Sequence, residues 1–128
     1  MQKILILVAG GAFGTFARYA VSGIPYKFSY PVFPWGTFMV NAIGAFLIGL
    51  FWGIFEIKNI TPEVRAFIFI GFLGGFTTFS TYALETMNFF KTGDIRMGIL
   101  NILANNIAAL ALVLAGFWLS RELFNFIK

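Results

Sequence analysis

The 128-residue chain contains no cysteine and no histidine. It can therefore form no disulfide, thiolate metal site or thiol nucleophile, and it lacks the side chain that most often transfers protons near neutral pH. Charged residues are scarce too, at 11% of the chain against about 25% in soluble domains. The five acids include no pair within an apolar stretch, so little general acid–base machinery is available and we expect no enzyme.

Apolar side chains dominate what is present: 59% of the residues are hydrophobic and 20% aromatic. A soluble globule of this size would not have enough polar side chains to cover its surface, so the chain belongs in a membrane. Charged residues bound four stretches close to the roughly 20 residues with which a helix crosses a bilayer. Strand-like alternation is absent. We predict an all-α membrane protein with one four-helix domain over residues 1–128 and spans at about 3–23, 34–56, 64–90 and 97–121.

The cations hardly distinguish the two sides of the membrane. With four spans, both termini and the second connection share one side, and orientation normally follows the Lys/Arg excess in short loops. A difference of one cation allows two interpretations: a single well-placed residue sets the orientation, or the chain inserts both ways and pairs with its inverted copy. No charge run suggests a nucleic-acid partner. One side carries Lys3, Lys58, Arg65, Arg121 and Lys128, and the other Arg18, Lys27, Lys91 and Arg96.

Glycines recur four residues apart in three of the spans. This spacing lets helix backbones approach closely in lipid, so helix packing explains most of them. The pairs are Gly10 and Gly14, Gly49 and Gly53, and Gly71 and Gly75.

The stretch GGFTTFSTY, residues 74–82, places a cluster of hydroxyls inside the third span. On a continuous helix, Thr77, Ser80 and Thr81 would share one face, and Phe79 and Tyr82 would form an aromatic stripe beside it. One Ser or Thr can bond back to its own helix, but four in five residues are too many for that role alone. A polar track is the better hypothesis.

Two glycines directly precede this cluster. Gly74 and Gly75 can let the helix unwind, which frees backbone carbonyls. Non-helical backbone at membrane depth is tolerated only where protein or a cavity shields it. We therefore predict that the third helix is broken near Gly74–Thr81.

Among the further polar residues within the spans, where each needs a partner or water, five are candidates for a role. Asn41 lies about a third of the way into the second span, and Asn105 and Asn106 lie in the fourth. Interhelical hydrogen bonds and a polar pathway are both open for them. Arg18 and Glu85 lie near span ends, where snorkelling to the interface is the simpler interpretation.

The chemistry of such a track favours a small anion. No carboxylate or lysine lies deep in a span, which argues against a proton-coupled carrier or a charged cation filter. Hydroxyls and amides donate hydrogen bonds to anions, and aromatic ring edges are electropositive. The net charge of +4 agrees with this preference.

Three sequence blocks resemble the Fluc (CrcB-type) fluoride channel family. The blocks are GGAFGTFARY (Gly10 to Tyr19), WGTFMVNAIGAFLIG (Trp35 to Gly49) and GFLGGFTTFSTYALE (Gly71 to Glu85). The resemblance implies an antiparallel, dual-topology homodimer with two pores. It also implies passive export of fluoride across the bacterial inner membrane, with the inverted copy, fluoride and lipid as partners.

The resemblance also implies roles for particular residues. Asn41 would line the pore, with Phe79 and Tyr82 as the aromatic pair and Ser80 and Thr81 in the hydroxyl track. Two further pairs complete the assignment: Gly74 and Thr77 would offer backbone carbonyls to a structural sodium ion on the two-fold axis, and Arg18 and Glu85 would lie at the pore's vestibule.

The chain departs from the family pattern at two places. Tyr82 stands where the second aromatic is usually phenylalanine, and its hydroxyl could join the track or block it. The fourth span has Ala108 and Ala109 where a hydroxyl is usual. The nearly balanced charges favour self-pairing. An obligate pair of two different homologues is the alternative.

Two other classes of protein compete with an anion channel. Small dual-topology multidrug exporters couple protons through a glutamate in the first helix, but the first span has no acid. A purely structural membrane subunit would explain the glycines but not the clustered hydroxyls.

Overall fold

The computed structural model describes residues 1–27 and 32–127. Residues 28–31 of the first connection and Lys128, which was counted among the cations, lie outside this part of the chain. Within the described residues the regular structure is entirely helical. Four segments are long and apolar enough to cross a membrane, as predicted: Gln2–Lys27, Trp35–Ile57, Pro62–Lys91 and Ile95–Phe126.

Each crossing has its own helical make-up. The first is helix α1 (Gln2–Ser22) followed by a 3-10 turn, and the second and fourth are single helices. The third is assembled from four consecutive pieces. These elements are α2 (Trp35–Ile57), α3 (Pro62–Arg65), a π-helix (Ala66–Leu73), α4 (Gly74–Phe76), α5 (Phe79–Lys91) and α6 (Ile95–Ile127).

Glycines set how closely the helices pack, as the four-residue spacing predicted. A Cβ on Gly49 of α2 would overlap the Val113 carbonyl of α6, and one on Gly116 of α6 would overlap the Phe46 carbonyl of α2. The two backbones therefore touch. Helix α1 lies in the same way against the π-helix and α4, with Gly10 beside Phe67 and Gly14 beside Phe72.

The third crossing contains two residues with extended backbone. Thr77 (φ −80°, ψ 159°) and Thr78 (φ −148°, ψ 112°) separate α4 from α5. The expectation that Gly74 and Gly75 unwind is wrong, because both lie in α4 and Gly74 is helical (φ −64°, ψ −37°). The predicted face shared by Thr77 with Ser80 and Thr81 is also wrong, since Thr77 lies outside α5.

Polar contacts join the end of α2 and the residue after it, Lys58, to the C-terminal part of α6. The Arg121 guanidinium lies 2.5 Å from a Glu56 carboxylate oxygen, and Lys58 lies over the Phe124 ring. Arg65 donates to the Phe55 carbonyl at 2.8 Å. These two parts of the chain therefore lie at one end of the bundle.

Gly14→Ala should destabilise the protein by roughly 1–3 kcal/mol, because the new methyl group meets the backbone of Phe72. Gly11→Ala is the matched control on the same helix, where a Cβ would have no neighbour within 4 Å. Alanine favours helix over glycine, so the control should be neutral or slightly stabilising. Thermal unfolding in detergent measures both variants, and equal losses would contradict the packing described for α1.

Candidate functional site

The hydroxyl cluster is organised around Thr78, the residue just before α5. Its Oγ1 caps the helix by accepting from the Thr81 N–H at 3.2 Å. The Thr81 hydroxyl lies 2.9 Å from the same oxygen, and the Ser80 hydroxyl lies 3.4 Å from it. Ser80 and Thr81 are therefore arranged around the interruption of the third crossing.

Asn41 of α2 binds the interruption from the neighbouring helix. The Thr78 N–H donates to Asn41 Oδ1 at 2.8 Å, and Asn41 Nδ2 donates to the Thr78 carbonyl at 3.1 Å. In a continuous helix the Thr78 N–H would donate to the Gly74 carbonyl instead. The side-chain amide of Asn41 thus takes the place of the backbone acceptor that the Thr78 N–H loses at the break.

A relay of amides continues from the partly buried Asn41 to two buried asparagines of α6. Asn41 Nδ2 donates to Asn105 Oδ1 (3.2 Å), Asn105 Nδ2 to Asn101 Oδ1 (2.9 Å), and Asn101 Nδ2 to Thr86 Oγ1 (3.0 Å). The Thr86 hydroxyl then donates to the Tyr82 carbonyl at 2.9 Å. Asn105 Nδ2 also reaches the Asn101 carbonyl, which can only accept, so the direction of the relay is determined. Asn101 is 0% exposed.

The aromatic pair consists of one exposed ring and one buried ring. Phe79 is 76% exposed in the single chain, whereas Tyr82 is 8% exposed. Their centroids are 5.3 Å apart at an interplanar angle of 66°, so the edge of one ring faces the other. Asn106 Nδ2 donates to the Tyr82 hydroxyl oxygen at 3.1 Å. The hydroxyl therefore bonds to α6.

A cavity of about 440 Å³ brings part of the predicted site together. Among the described residues its wall is mainly apolar, carries amide, hydroxyl and aromatic groups as well, and includes no charged residue. The predicted site residues Ser80, Thr81, Arg18 and Glu85 are not part of this wall. Ala109 is, so α6 offers no hydroxyl at that position. The predicted residues that line the cavity are Asn41, Gly74, Thr77, Phe79 and Tyr82, together with Asn105 and Asn106.

Arg18 contacts the backbone beside the interruption. Its guanidinium donates from Nε to the Gly75 carbonyl at 2.8 Å, and Nη2 reaches the same oxygen. In an unbroken helix this carbonyl would accept from the Phe79 N–H. Arg18 thus satisfies a carbonyl that the break releases.

Glu85 lies on α5, farther along the third crossing. Its Oε1 accepts from the Thr37 hydroxyl at 2.6 Å. Its Oε2 is buried and has no hydrogen-bond partner among the described residues. Glu85 also lines a second cavity of about 310 Å³ with Tyr26, Asn88 and Thr92. Arg18 and Glu85 thus bind different parts of the protein.

The carbonyls expected to hold sodium fit that role in part. The break deprives the Gly74 carbonyl of its usual donor, because the Thr78 N–H binds Asn41. The Thr77 side chain points back, donating to the Leu73 carbonyl at 3.0 Å. The Thr77 backbone is extended and lies two residues before the start of α5. Neutral carbonyl oxygens suit a hard monovalent cation, but one chain offers two of them.

Three residues with central positions were assigned no role from the sequence, although Thr78 was counted in the hydroxyl cluster. Thr78 anchors the hydroxyl cluster, and Asn101 and Thr86 carry the relay to α5. The spacing of Asn101 and Asn105, four residues apart in one span, was a usable signal because such residues face the same way on a helix. Nothing in the sequence marked Thr86.

The fold and the site define a multi-pass helical membrane protein with an uncharged, mainly apolar cavity whose wall carries a few amides and hydroxyls. The family model described as "CrcB-like protein, Camphor Resistance (CrcB)" matches residues 5–117. The chain belongs to this CrcB-like family.

Several curated relatives cover nearly the whole chain, and each carries the name "Fluoride-specific ion channel FluC". The protein from Parabacteroides distasonis is 44% identical over 128 residues, which is 100% of both chains. That from Maridesulfovibrio salexigens is 44% identical over 122 residues (94% of this chain, 97% of the relative). That from Nitrosococcus oceani is 38% identical over 121 residues, with the same coverage.

Proposed function

We propose that this protein is a fluoride channel that lets fluoride leave the cytoplasm passively across the bacterial inner membrane. The observation that carries the proposal is the cavity, whose wall combines amides, hydroxyls and aromatic groups without a charge. Neutral hydroxyls and aromatic ring edges can stabilise a small anion, while the amides hold the wall in place. Conduction needs sites that bind the ion weakly enough to release it, and a wall without a charge meets that need. The names of the relatives support fluoride as that anion.

The pathway needs a second, inverted copy of the chain. Phe79 is 76% exposed in the single chain, although it belongs to the proposed pathway. The near balance of cations across the two sides permits insertion in both orientations. An antiparallel pair would cover Phe79 and create two equivalent pores, each lined by Asn41 with Phe79 and Tyr82.

A sodium ion on the two-fold axis would hold the two broken crossings together. The carbonyls of Gly74 and Thr77 from each of two copies supply four neutral oxygen ligands. The ion's charge would offset the carbonyl dipoles that face one another there. Arg18 supports the arrangement, since its contact with Gly75 keeps the neighbouring backbone in place.

Arg18 and Glu85 are proposed to lie at the mouths of the pores. Arg18 uses part of its guanidinium on Gly75, and its remaining N–H groups can attract an anion. Thr37 holds the Glu85 carboxylate through a 2.6 Å hydrogen bond. Ser80 and Thr81, on the exposed side of α5, would carry the hydroxyl track between mouth and cavity.

Purified protein in liposomes tests the proposal. Vesicles loaded with fluoride should lose it within seconds of being made permeable to potassium, while vesicles loaded with chloride should keep it. A fluoride-selective electrode follows the release, and protein-free vesicles give the background. Equal release of both anions, or release of neither, would overturn the proposal.

Phe79→Ala should lower fluoride efflux about tenfold, because the variant removes an aromatic edge that faces the pathway. Phe126→Ala is the control, since that ring is also exposed in the chain (94% against 76% for Phe79) but lies at the far end of α6. Efflux from liposomes measures the effect, and cross-linking checks that both variants still pair. Unchanged efflux in Phe79→Ala would remove this residue from the pathway.

A further inference from the structure

The Tyr82 hydroxyl is held in one orientation by Asn106. Asn106 Nδ2 lies 2.8 Å from the Ile102 carbonyl and 3.1 Å from the Tyr82 hydroxyl oxygen. The Ile102 carbonyl can only accept, so the atom between them must be the amide nitrogen. The same nitrogen therefore donates to Tyr82, and the tyrosine oxygen is an acceptor in this contact.

This contact leaves the tyrosine proton available. A phenol has one O–H to donate and prefers to hold it in the plane of the ring, where the oxygen also accepts. With Asn106 on one side of the oxygen, the proton is directed to the other side. Tyr82 lines the same uncharged cavity as Asn41, Phe79 and Asn105, so a donor is presented within the proposed anion pathway.

The other amides nearby are already occupied. Asn41 Nδ2 donates to Thr78 and Asn105, and Asn105 Nδ2 donates to both the backbone and side chain of Asn101. These N–H groups stabilise the protein's own interruption and relay. Of the cavity's hydroxyls, that of Thr77 donates to the Leu73 carbonyl and that of Thr78 lies within hydrogen-bond distance of Ser80 and Thr81. The Tyr82 hydroxyl is the donor in the cavity that has no acceptor among the described residues.

We propose that the Tyr82 hydroxyl donates a hydrogen bond to the anion in the cavity, and that Asn106 is the positioning residue that orients it. The inference rests on the proposed anion pathway and adds to it a specific donor. Fluoride, the smallest halide, concentrates its charge most and accepts the strongest hydrogen bonds. The hydrogen bond from Tyr82 would therefore be stronger to fluoride than to chloride, which offsets part of the larger cost of dehydrating fluoride.

Tyrosine NMR tests the donor independently of transport. The chain has four tyrosines, and labelling their Cζ carbons with ¹³C gives one signal each; the Tyr82 signal is the one absent from Tyr82→Phe. In detergent, sodium fluoride should move the Tyr82 signal in a saturable way, and sodium chloride at the same concentration should not. A Tyr82 signal that ignores fluoride would overturn the proposal.

A double-mutant cycle tests the role of Asn106. Tyr82→Phe should lower fluoride efflux about tenfold, because it removes a hydrogen bond to a charged partner. Asn106→Leu should weaken both the fluoride-dependent shift and the efflux about threefold, since the hydroxyl is then free to rotate. Adding Asn106→Leu to Tyr82→Phe should change efflux no further. An equal loss in both backgrounds would assign Asn106 a purely structural role and contradict the proposal.

The two proposals can fail separately. If the Tyr82 signal responds to fluoride but liposomes release none, the donor site stands and the channel does not. If liposomes release fluoride while the signal stays still, the channel stands and the donor does not. Faster efflux in Tyr82→Phe would show that the hydroxyl obstructs the path, which also overturns the inference.

Discussion

Asn41→Leu is expected to abolish fluoride efflux, lowering it by about a hundredfold or more. Leucine has a similar size but no polar atom. The Thr78 N–H and carbonyl would both lose their partner on α2, and Asn105 Oδ1 would lose its donor. Each buried polar group left unsatisfied costs roughly 1–3 kcal/mol, so the interruption should rearrange.

Efflux from liposomes measures this prediction. Asn125→Leu is the matched control, because Asn125 is exposed near the end of α6 and outside the relay. It should transport fluoride as the unaltered protein does. Near-normal efflux by Asn41→Leu would mean that the hydrogen bonds between Asn41 and Thr78 do not maintain the pathway.

Asn101→Asp should have the largest effect on stability, lowering the free energy of unfolding by roughly 3–5 kcal/mol. Asn101 is fully buried, and its Nδ2 donates to Thr86 Oγ1 at 3.0 Å. A carboxylate at this position would place a charge in the core without a cationic partner. Its second oxygen would also lie near the Tyr82 carbonyl, another acceptor.

Thermal unfolding of the detergent-solubilised protein checks this prediction. Asn125→Asp introduces the same charge on the same helix at an exposed position, so its stability should change by no more than about 0.5 kcal/mol. Equal unfolding temperatures for the two variants would show that the relay through Asn101 contributes little to the fold.

The four crossings could be predicted because the bilayer imposes a length on apolar helices, and charges mark where they end. Glycine spacing similarly predicted where the backbones of α1, α2 and their neighbours meet. The π-helix at Ala66–Leu73 could not be predicted from the sequence. Apart from Gly71 it consists only of apolar side chains, so no alternation of polar and apolar residues indicates its helical period. Its geometry depends on how it packs against α1.

The site could be predicted in its composition more than in its arrangement. Asn41, Phe79 and Tyr82 line one cavity, as a common site would require. The grouping of Thr77 with Ser80 and Thr81 assumed a continuous helix, and the extended backbone at Thr77 and Thr78 removes that basis. Which residue caps α5 depends on where the chain leaves the helix, and side-chain spacing alone does not determine that point.

Measuring the reversal potential tests the central claim most directly. Under a tenfold fluoride gradient across a planar bilayer, a passive fluoride channel should give a current that reverses at about 59 mV, the value for one charge. Adding a chloride or proton gradient should leave that potential unchanged. A reversal near zero, or one that follows the proton gradient as in a proton-coupled exporter, would contradict the assignment of a fluoride channel.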